Sequence, residues 1–175
     1  SSAFDDISGN SFEGISDKSS LDFTTEDKDE PLLITSLPVD KSTAVAVNSN
    51  IELTFSEAVK AVLGNIYIKK SSDDSLFESI DVTSNQVSGS GTKVITIDPT
   101  NEFQSSSQYY IQIDSSAFDD ISGNSFLGIN DSATFNFSTI DLSPPTILNS
   151  NPSDSDTNVL VCLLYTSPSP RDRSI

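Results

Sequence analysis

The stretch SSAFDDISGNSFLGIND, residues 115–131, is the second copy of a sequence that also occupies residues 1–17. The two copies agree at 15 of 17 positions. The offset of 114 residues then continues without a gap, through pairs such as Phe23 and Phe137, as far as Val161. A fixed period of this size indicates tandem whole domains, because a segment of that length can enclose a core of its own.

This periodicity predicts how the chain is divided. Residues 1–27 are the C-terminal end of a preceding module, residues 31–141 form one complete module, and residues 144–161 begin a following one. Residues 162–175 break the repeat and resemble a translated sequencing-library adapter, so we treat them as a non-native tail and exclude them from fold prediction. The junctions are short and contain proline, which predicts a semi-rigid rod rather than loosely connected domains.

Composition restricts the classes of function. The chain has 26 acidic and 9 basic residues and a formal net charge of −17, which disfavours binding to nucleic acid or to anionic membranes. No apolar run approaches the ~20 residues that a membrane helix needs, so no span is predicted. Histidine is absent, and the single cysteine lies in the excluded tail. We therefore predict that this segment is not an enzyme.

The pattern of the complete module is that of an all-β protein. Apolar and polar residues alternate in segments such as 51–55 (IELTF) and 109–113 (YYIQI), which is typical of half-buried strands. About seven short strands are predicted, with no helical periodicity: 32–37, 51–55, 65–70, 76–82, 93–97, 109–113 and 134–138, with Val87 as a short strand by itself. Such spacing predicts an antiparallel β-sandwich. The predicted inward set is Ile51, Leu53, Phe55, Ile66, Ile68, Ile95, Ile97, Tyr109, Ile111, Ile113, Phe135 and Phe137.

Several motifs in fixed order resemble a known family. They are Pro31, Ser36, Pro38 and Asp40 in the first turn, then 53–57 (LTFSE), Asp98-Pro99, 109–113, Asp120 with Gly123 and Asn124, and 134–139 (TFNFST). Together they resemble the bacterial Ig-like domain of the SbsA type. The resemblance implies an Ig-like sandwich repeated within a secreted, surface-layer or adhesin-like protein, and it implies no catalytic residues.

The loop at residues 119–126 is the strongest candidate for a metal site. Asp119, Asp120, Asn124 and Asp131 supply carboxylate and amide oxygens within 13 residues, and such oxygens are the ligands that Ca²⁺ takes. The alternative is a structural turn, in which Asp120 binds nearby backbone, Gly123 supplies a positive φ and Asn124 tolerates the left-handed region. The sequence leaves both interpretations open.

Other residues have both a functional and a structural interpretation. A cation at the junction could join Asp27 or Asp141 to Asp40 or Asp154, although solvated linker charge is the simpler alternative. Glu57 could be a ligand or a catalytic carboxylate, but it is expected to be an exposed turn acid. Tyr109 resembles a tyrosine corner, a packing device whose hydroxyl binds nearby backbone.

These features favour a structural function. We expect a spacer module of a large extracellular or cell-surface bacterial protein, with neighbouring repeats as its partners and Ca²⁺ as a candidate stiffening ion. The alternative is an adhesin module whose loops bind an extracellular glycan or protein ligand. A ligand-binding loop is expected to differ among modules or to expose aromatic residues, whereas residues 1–17 and 115–131 are nearly identical, which favours the structural role.

Overall fold

The structure, a computed structural model, describes residues 4–160. The predicted non-native tail, residues 162–175, lies outside the described residues. The chain divides after Asp141 into two compact units. In the second unit, Ser150 Oγ donates a hydrogen bond to the carbonyl oxygen of Pro152 at 2.7 Å. The same bond joins Ser36 to Pro38 in the first unit at 2.8 Å, so the first turn of the module recurs one period later.

Among the described residues, the regular secondary structure of the first unit consists of ten strands joined by loops. They are β1 (Leu33–Leu37), β2 (Ser42–Val45), β3 (Ile51–Ala61), β4 (Asn65–Lys70), β5 (Leu76–Asp81), β6 (Val87–Ser88), β7 (Thr92–Ile97), β8 (Gln108–Ile113), β9 (Phe118–Asp120) and β10 (Asn136–Thr139). One sheet has the order β1-β3-β7-β6, with β9 also paired to β3, and the other has the order β2-β10-β8-β4-β5. All pairs are antiparallel except β10 with β2, which is parallel. The predicted Ig-like β-sandwich is confirmed.

The core lies between the two sheets and follows from the alternation in sequence. All twelve predicted inward residues are buried, because residues two apart on a strand point to the same face. Phe118 and Phe126, from the repeated segment, complete this core. Their rings lie 5.4 Å and 5.3 Å from that of Phe55. The repeated segment therefore closes the hydrophobic core as well as forming a surface loop.

The predicted strands all appear, and the structure adds two that were missed. β2 and β9 have three or four residues and little alternation, so their sequences carry no clear strand signal. β3 is also longer than predicted and continues to Ala61, because its C-terminal half pairs with β9 after its register with β7 has shifted. With the predicted short strand at Val87 counted as β6, the two additions bring the strands to ten within the described residues.

Tyr109 forms the predicted corner. Its fully buried hydroxyl accepts a hydrogen bond from the backbone N–H of Gln104 at 2.9 Å, five residues upstream. Its ring packs against Phe77, Phe103 and Phe137, with centroid distances of 5.2, 4.9 and 5.8 Å. Tyr109 therefore holds the loop before β8 against the core, which is the packing role expected from the sequence.

The first copy of the repeated segment keeps its local structure without a surrounding sheet. Phe12 N donates to Phe4 O at 2.8 Å, as Phe126 N donates to Phe118 O. Yet Phe4 is 71% exposed, whereas Phe118 is fully buried. The turn is thus determined by local hydrogen bonds, and the sandwich adds the burial of its aromatic rings.

Gly128 is the position where the repeated segment comes closest to β8. A Cβ on this residue would lie 2.5 Å from the carbonyl oxygen of Ile113 and 2.8 Å from the backbone nitrogen of Ser115. Gly123, in the same segment, has a similar positive φ (92° against 80°) but open space around it. An alanine at Gly123 would therefore suffer only the strain of a positive φ, whereas an alanine at Gly128 would also clash with the backbone of Ile113 and Ser115.

We expect Gly128→Ala to lower the free energy of unfolding by about 2–5 kcal/mol, because a left-handed alanine adds about 1–2 kcal/mol of strain and the contacts with backbone add more. Gly123→Ala is the matched control, and it is expected to cost only the conformational strain of about 1–2 kcal/mol. Urea unfolding monitored by tyrosine fluorescence measures both. Equal losses in the two variants would mean that the approach to Ile113 does not constrain the fold.

Candidate metal centre

Asp120 is the buried acid of the repeated segment. It lies on β9 opposite Val59 of β3, and only 2% of it is exposed. Its Oδ1 accepts hydrogen bonds from the backbone nitrogens of Ser122 and Asn124, each at 2.8 Å, and its Oδ2 accepts one from Asn124 Nδ2 at 2.8 Å. Gly123 has the expected positive φ of 92°, whereas Asn124 does not adopt the left-handed conformation. The structural turn anticipated from the sequence is therefore present.

Glu57 lies on β3, so the expectation of an exposed turn acid was wrong. The side chain is half-buried, at the point where the register of β3 against β7 shifts between Thr54 and Val59. The hydrophobic pattern does not indicate that the strand continues to Glu57, because the alternating stretch ends at Phe55. The strand continues to Ala61 with β9 as a partner for Val59–Ala61, while Val59 still pairs with Thr92 of β7.

Asp27 brings a third carboxylate to this point from the segment that precedes β1. Its carbonyl oxygen accepts a hydrogen bond from Asn124 Nδ2 at 3.3 Å, and its Oδ2 accepts one from Ser122 Oγ at 3.4 Å. One carboxylate oxygen from each of Asp27, Glu57 and Asp120 lies within 4.8 Å of the others. Among residues 4–160 this is the one group of three acids so close together. We call it the acidic triad.

The surroundings of the acidic triad shift the pKa values of Glu57 and Asp120 in opposite directions. Partial burial raises the pKa of Glu57, and the negative charges of Asp120, Asp27 and Asp29 raise it further, against a smaller opposing effect of Lys93. Burial also acts to raise the pKa of Asp120, but the hydrogen bonds from Asn124 and from backbone N–H groups outweigh it, so this pKa is lowered overall. The resulting repulsion between like charges acts mainly on Glu57.

The other acids predicted from the sequence have local partners. Asp119 accepts a hydrogen bond from Ser125 Oγ at 2.7 Å, and Asp131 accepts from the backbone nitrogens of Ala133 and Thr134, both at 2.7 Å. Neither belongs to the acidic triad, so a cation bound by Asp119, Asn124 and Asp131 together with Asp120 stays a prediction.

The predicted junction pair is different in the structure. Asp27 lies beside Glu57 and Asp120, whereas Asp40 accepts from the backbone nitrogen of Asn136 at 3.1 Å and forms an ion pair with Lys41 at 2.9 Å. The sequence showed that the linker is acidic, but it did not show which acids of the module it meets. That pairing depends on how β3 and β9 are aligned.

The family is decided by comparison with known sequences. The sequence profile described as "Bacterial Ig-like domain" matches residues 27–139. The chain belongs to the bacterial Ig-like domain family. Members of this family are non-catalytic structural modules. The matched range includes all three members of the acidic triad and all ten strands, so the site belongs to the Ig-like module itself.

Two solved structures are similar to the Ig-like module at low sequence identity. CopC from Methylosinus trichosporium OB3b is 14% identical with a TM-score of 0.46, and the match covers 66% of this chain and 99% of CopC. The S-layer protein rSbsC is 17% identical with a TM-score of 0.40, and the match covers 66% of this chain but only 14% of that protein. No curated protein sequence matches the chain. Across residues 4–160, no helix has the length and apolarity that crossing a bilayer requires.

The raised pKa of Glu57 gives a stability prediction with a definite sign. Because the folded state raises this pKa above its ordinary value of 4.5, ionisation of Glu57 destabilises the Ig-like module. The loss of folding stability is complete at pH values above the raised pKa of Glu57, and stability returns as the pH falls through that pKa. Glu57→Gln, which cannot ionise, is therefore expected to stabilise the module at pH 7 in the presence of a chelator.

The measurement is urea unfolding of the wild type and of Glu57→Gln in EDTA at pH 7 and at pH 4. The advantage of the variant is expected to shrink at the lower pH, where Glu57 of the wild type is largely protonated. Glu52→Gln, on the same strand but outside the acidic triad, is the matched control, and it is expected to stabilise the module less than Glu57→Gln at pH 7. A variant that is less stable than the wild type at pH 7 would contradict the repulsion.

Proposed function

We propose that this Ig-like module is a spacer in a tandem array of a large extracellular or cell-surface bacterial protein. The observation that carries the proposal is the gapless period of 114 residues, which encloses one complete two-sheet core. Each module encloses its own core, so repetition adds length without requiring new contacts elsewhere. The acidic surface keeps such an array soluble and prevents association between copies.

The motif order favours the SbsA type within the family, and with it a surface-layer or adhesin-like parent protein. The module has no disulfide and the described residues supply a core of twenty buried apolar side chains, which accounts for stability without covalent cross-links. Secreted bacterial proteins of this construction depend on core size and, in our proposal, on bound cations.

The cation we propose is Ca²⁺, held at the acidic triad. Calcium takes six to eight oxygen ligands at about 2.3–2.6 Å, and it neutralises carboxylates that would otherwise repel one another. Asp27 belongs to the segment before β1, whereas Glu57 and Asp120 belong to the sandwich. An ion shared by the three would therefore fasten the junction to the module that follows it. Asp141 lies one period after Asp27, so the same acidic residue recurs at the next junction in the sequence.

Calcium is expected to raise the melting temperature of the chain by several degrees. For a dissociation constant of about 10⁻⁴–10⁻³ M, 5 mM Ca²⁺ stabilises the native state by roughly 1–2 kcal/mol through mass action. Asp27→Asn is expected to remove most of this increase, because it replaces one of three carboxylates with a neutral and weaker amide ligand. Differential scanning calorimetry in Ca²⁺ and in EDTA measures the shift.

Asp29→Asn is the matched control, since Asp29 lies in the same acidic segment but outside the acidic triad. It is expected to respond to Ca²⁺ as the wild type does. Identical melting curves in Ca²⁺ and EDTA would exclude the calcium centre while leaving the spacer role intact. An equal loss in Asp27→Asn and Asp29→Asn would indicate diffuse screening rather than a defined site.

The spacer role is tested by the shape of a longer array. A chain of four repeats of residues 28–141 is expected to form rods in negative-stain electron microscopy, with a length that grows linearly with repeat number. In EDTA, or with the Asp27 equivalents replaced by asparagine, the spread of angles between successive modules is expected to widen. Compact or randomly coiled particles in Ca²⁺ would contradict a spacer.

A further inference from the structure

The two copies of the repeated segment differ at two positions, and both face the same groove. Position 127 is leucine where the first copy has Glu13, and position 130 is asparagine where the first copy has Ser16. Leu127 and Asn130 line one groove of about 330 Å³. Three side chains from the opposite side complete it: Tyr67 of β4, Gln112 of β8, and Asp114 just after β8.

Exposure alone does not explain why these two positions vary. Leu127 is 69% exposed, and Ile121 of the same segment is 70% exposed. Nevertheless Ile121 is unchanged between the copies, as Ile7, and the exposed Ser122 and Gly123 are unchanged as well. Leu127 and Ile121 are thus equally exposed to solvent, but only Leu127 differs between the copies. What distinguishes the two residues is that Leu127 lines the groove and Ile121 does not.

The fold does not depend on the two variable side chains. The residues between and beside them, Phe126, Gly128 and Ile129, are buried or closely packed and are identical in both copies. Gln112 Nε2 donates to Asn130 at 2.8 Å, but it does so through the backbone carbonyl, which any residue supplies. The segment therefore keeps every residue that anchors it and varies where side chains project into the groove.

The chemistry of the groove suits a neutral, polyhydroxylated ring. Asp114 Oδ2 accepts from the backbone nitrogen of Asn65 at 2.9 Å and lies 3.4 Å from the hydroxyl of Tyr67, which places a carboxylate and a phenol side by side. The amides of Gln112 and Asn130 add further donors and acceptors. Leu127 and the Tyr67 ring supply apolar surface for the C–H groups of such a ring, beside a lining that is otherwise mainly polar.

Charge narrows the ligand class. Asp114 places a carboxylate in the groove and the chain has a net charge of −17, so an anionic ligand would be repelled. We propose that this groove binds a neutral saccharide, and that positions 127 and 130 set which saccharide each Ig-like module of the array takes. This site goes beyond the spacer role and is independent of the acidic triad.

The repeat itself supplies the test variant. The double substitution Leu127→Glu with Asn130→Ser installs the residues of the first copy at two exposed positions, so the fold is expected to be retained. The probe is an array of immobilised neutral and acidic oligosaccharides, to which the full chain is applied. We expect the wild type to bind a subset of the neutral glycans and the double variant to bind that subset about tenfold more weakly or to prefer other neutral glycans.

Ile121→Ser is the matched control, because it removes an equally exposed apolar side chain of the same segment outside the groove. It is expected to leave glycan binding unchanged. Melting temperatures of all three proteins show whether folding is intact, and the double variant is expected to melt with the wild type. A Tyr67→Ala variant provides a second line of evidence from the opposite side of the groove, and it is expected to lose binding as well.

Three results would overturn the proposal. They are the absence of wild-type binding to any neutral glycan, binding that the double variant and Tyr67→Ala leave unchanged, and binding restricted to acidic glycans. None of these results bears on the spacer role, which the electron microscopy of the array tests separately.

Discussion

The sandwich depends on the packing and pairing of β3. This strand, Ile51–Ala61, pairs with β1 on one side, with β7 on the other, and with β9 near its end, so it joins three parts of the chain that are distant in sequence. Ile51, Leu53, Phe55 and Val59 point into the core and have relative exposures of at most 1%. Because Phe55 contacts both Phe118 and Phe126, the closure of the core depends on this one strand.

The change of partner along β3 also creates the candidate metal centre. Where β3 runs past the end of β1 and pairs with β9 instead, Glu57 becomes half-buried beside Asp120, and the segment before β1 adds Asp27. The Asn124 amide bonds both Asp120 and the backbone of Asp27, so the turn that closes the core also holds the junction segment. Structural turn and candidate ligand are therefore compatible roles of one residue, Asp120. The electrostatic repulsion at Glu57 is the feature that a bound cation would relieve.

Comparison of the two copies of the repeated segment shows which of its residues are needed for folding and which are free to vary at the surface. The segment at residues 4–12 forms the same turn as residues 118–126 while its aromatic rings remain exposed, so local hydrogen bonds are sufficient for its conformation. The sandwich adds two constraints, which are the close approach of Gly128 to the backbone of Ile113 and the burial of Phe118. The positions that differ between copies are free of both constraints. Spacing and recognition can thus coexist in one Ig-like module without competing for residues.

The sequence by itself determined the period, the all-β class, the inward face of the main strands and the tyrosine corner. Each of these depends on interactions between residues near in sequence or on a strict alternation of two, which a linear pattern records. Only the tertiary structure decided that β2 and β9 are strands, that Glu57 lies within β3, and that Asp27, Glu57 and Asp120 meet. Those facts depend on pairing between strands distant in sequence, such as Ser42 with Phe137 and Val59 with Asp120, and short polar segments contain no signal for that register. The same reason applies to the groove, whose two sides come together only because β4 and β8 pair beside the repeated segment.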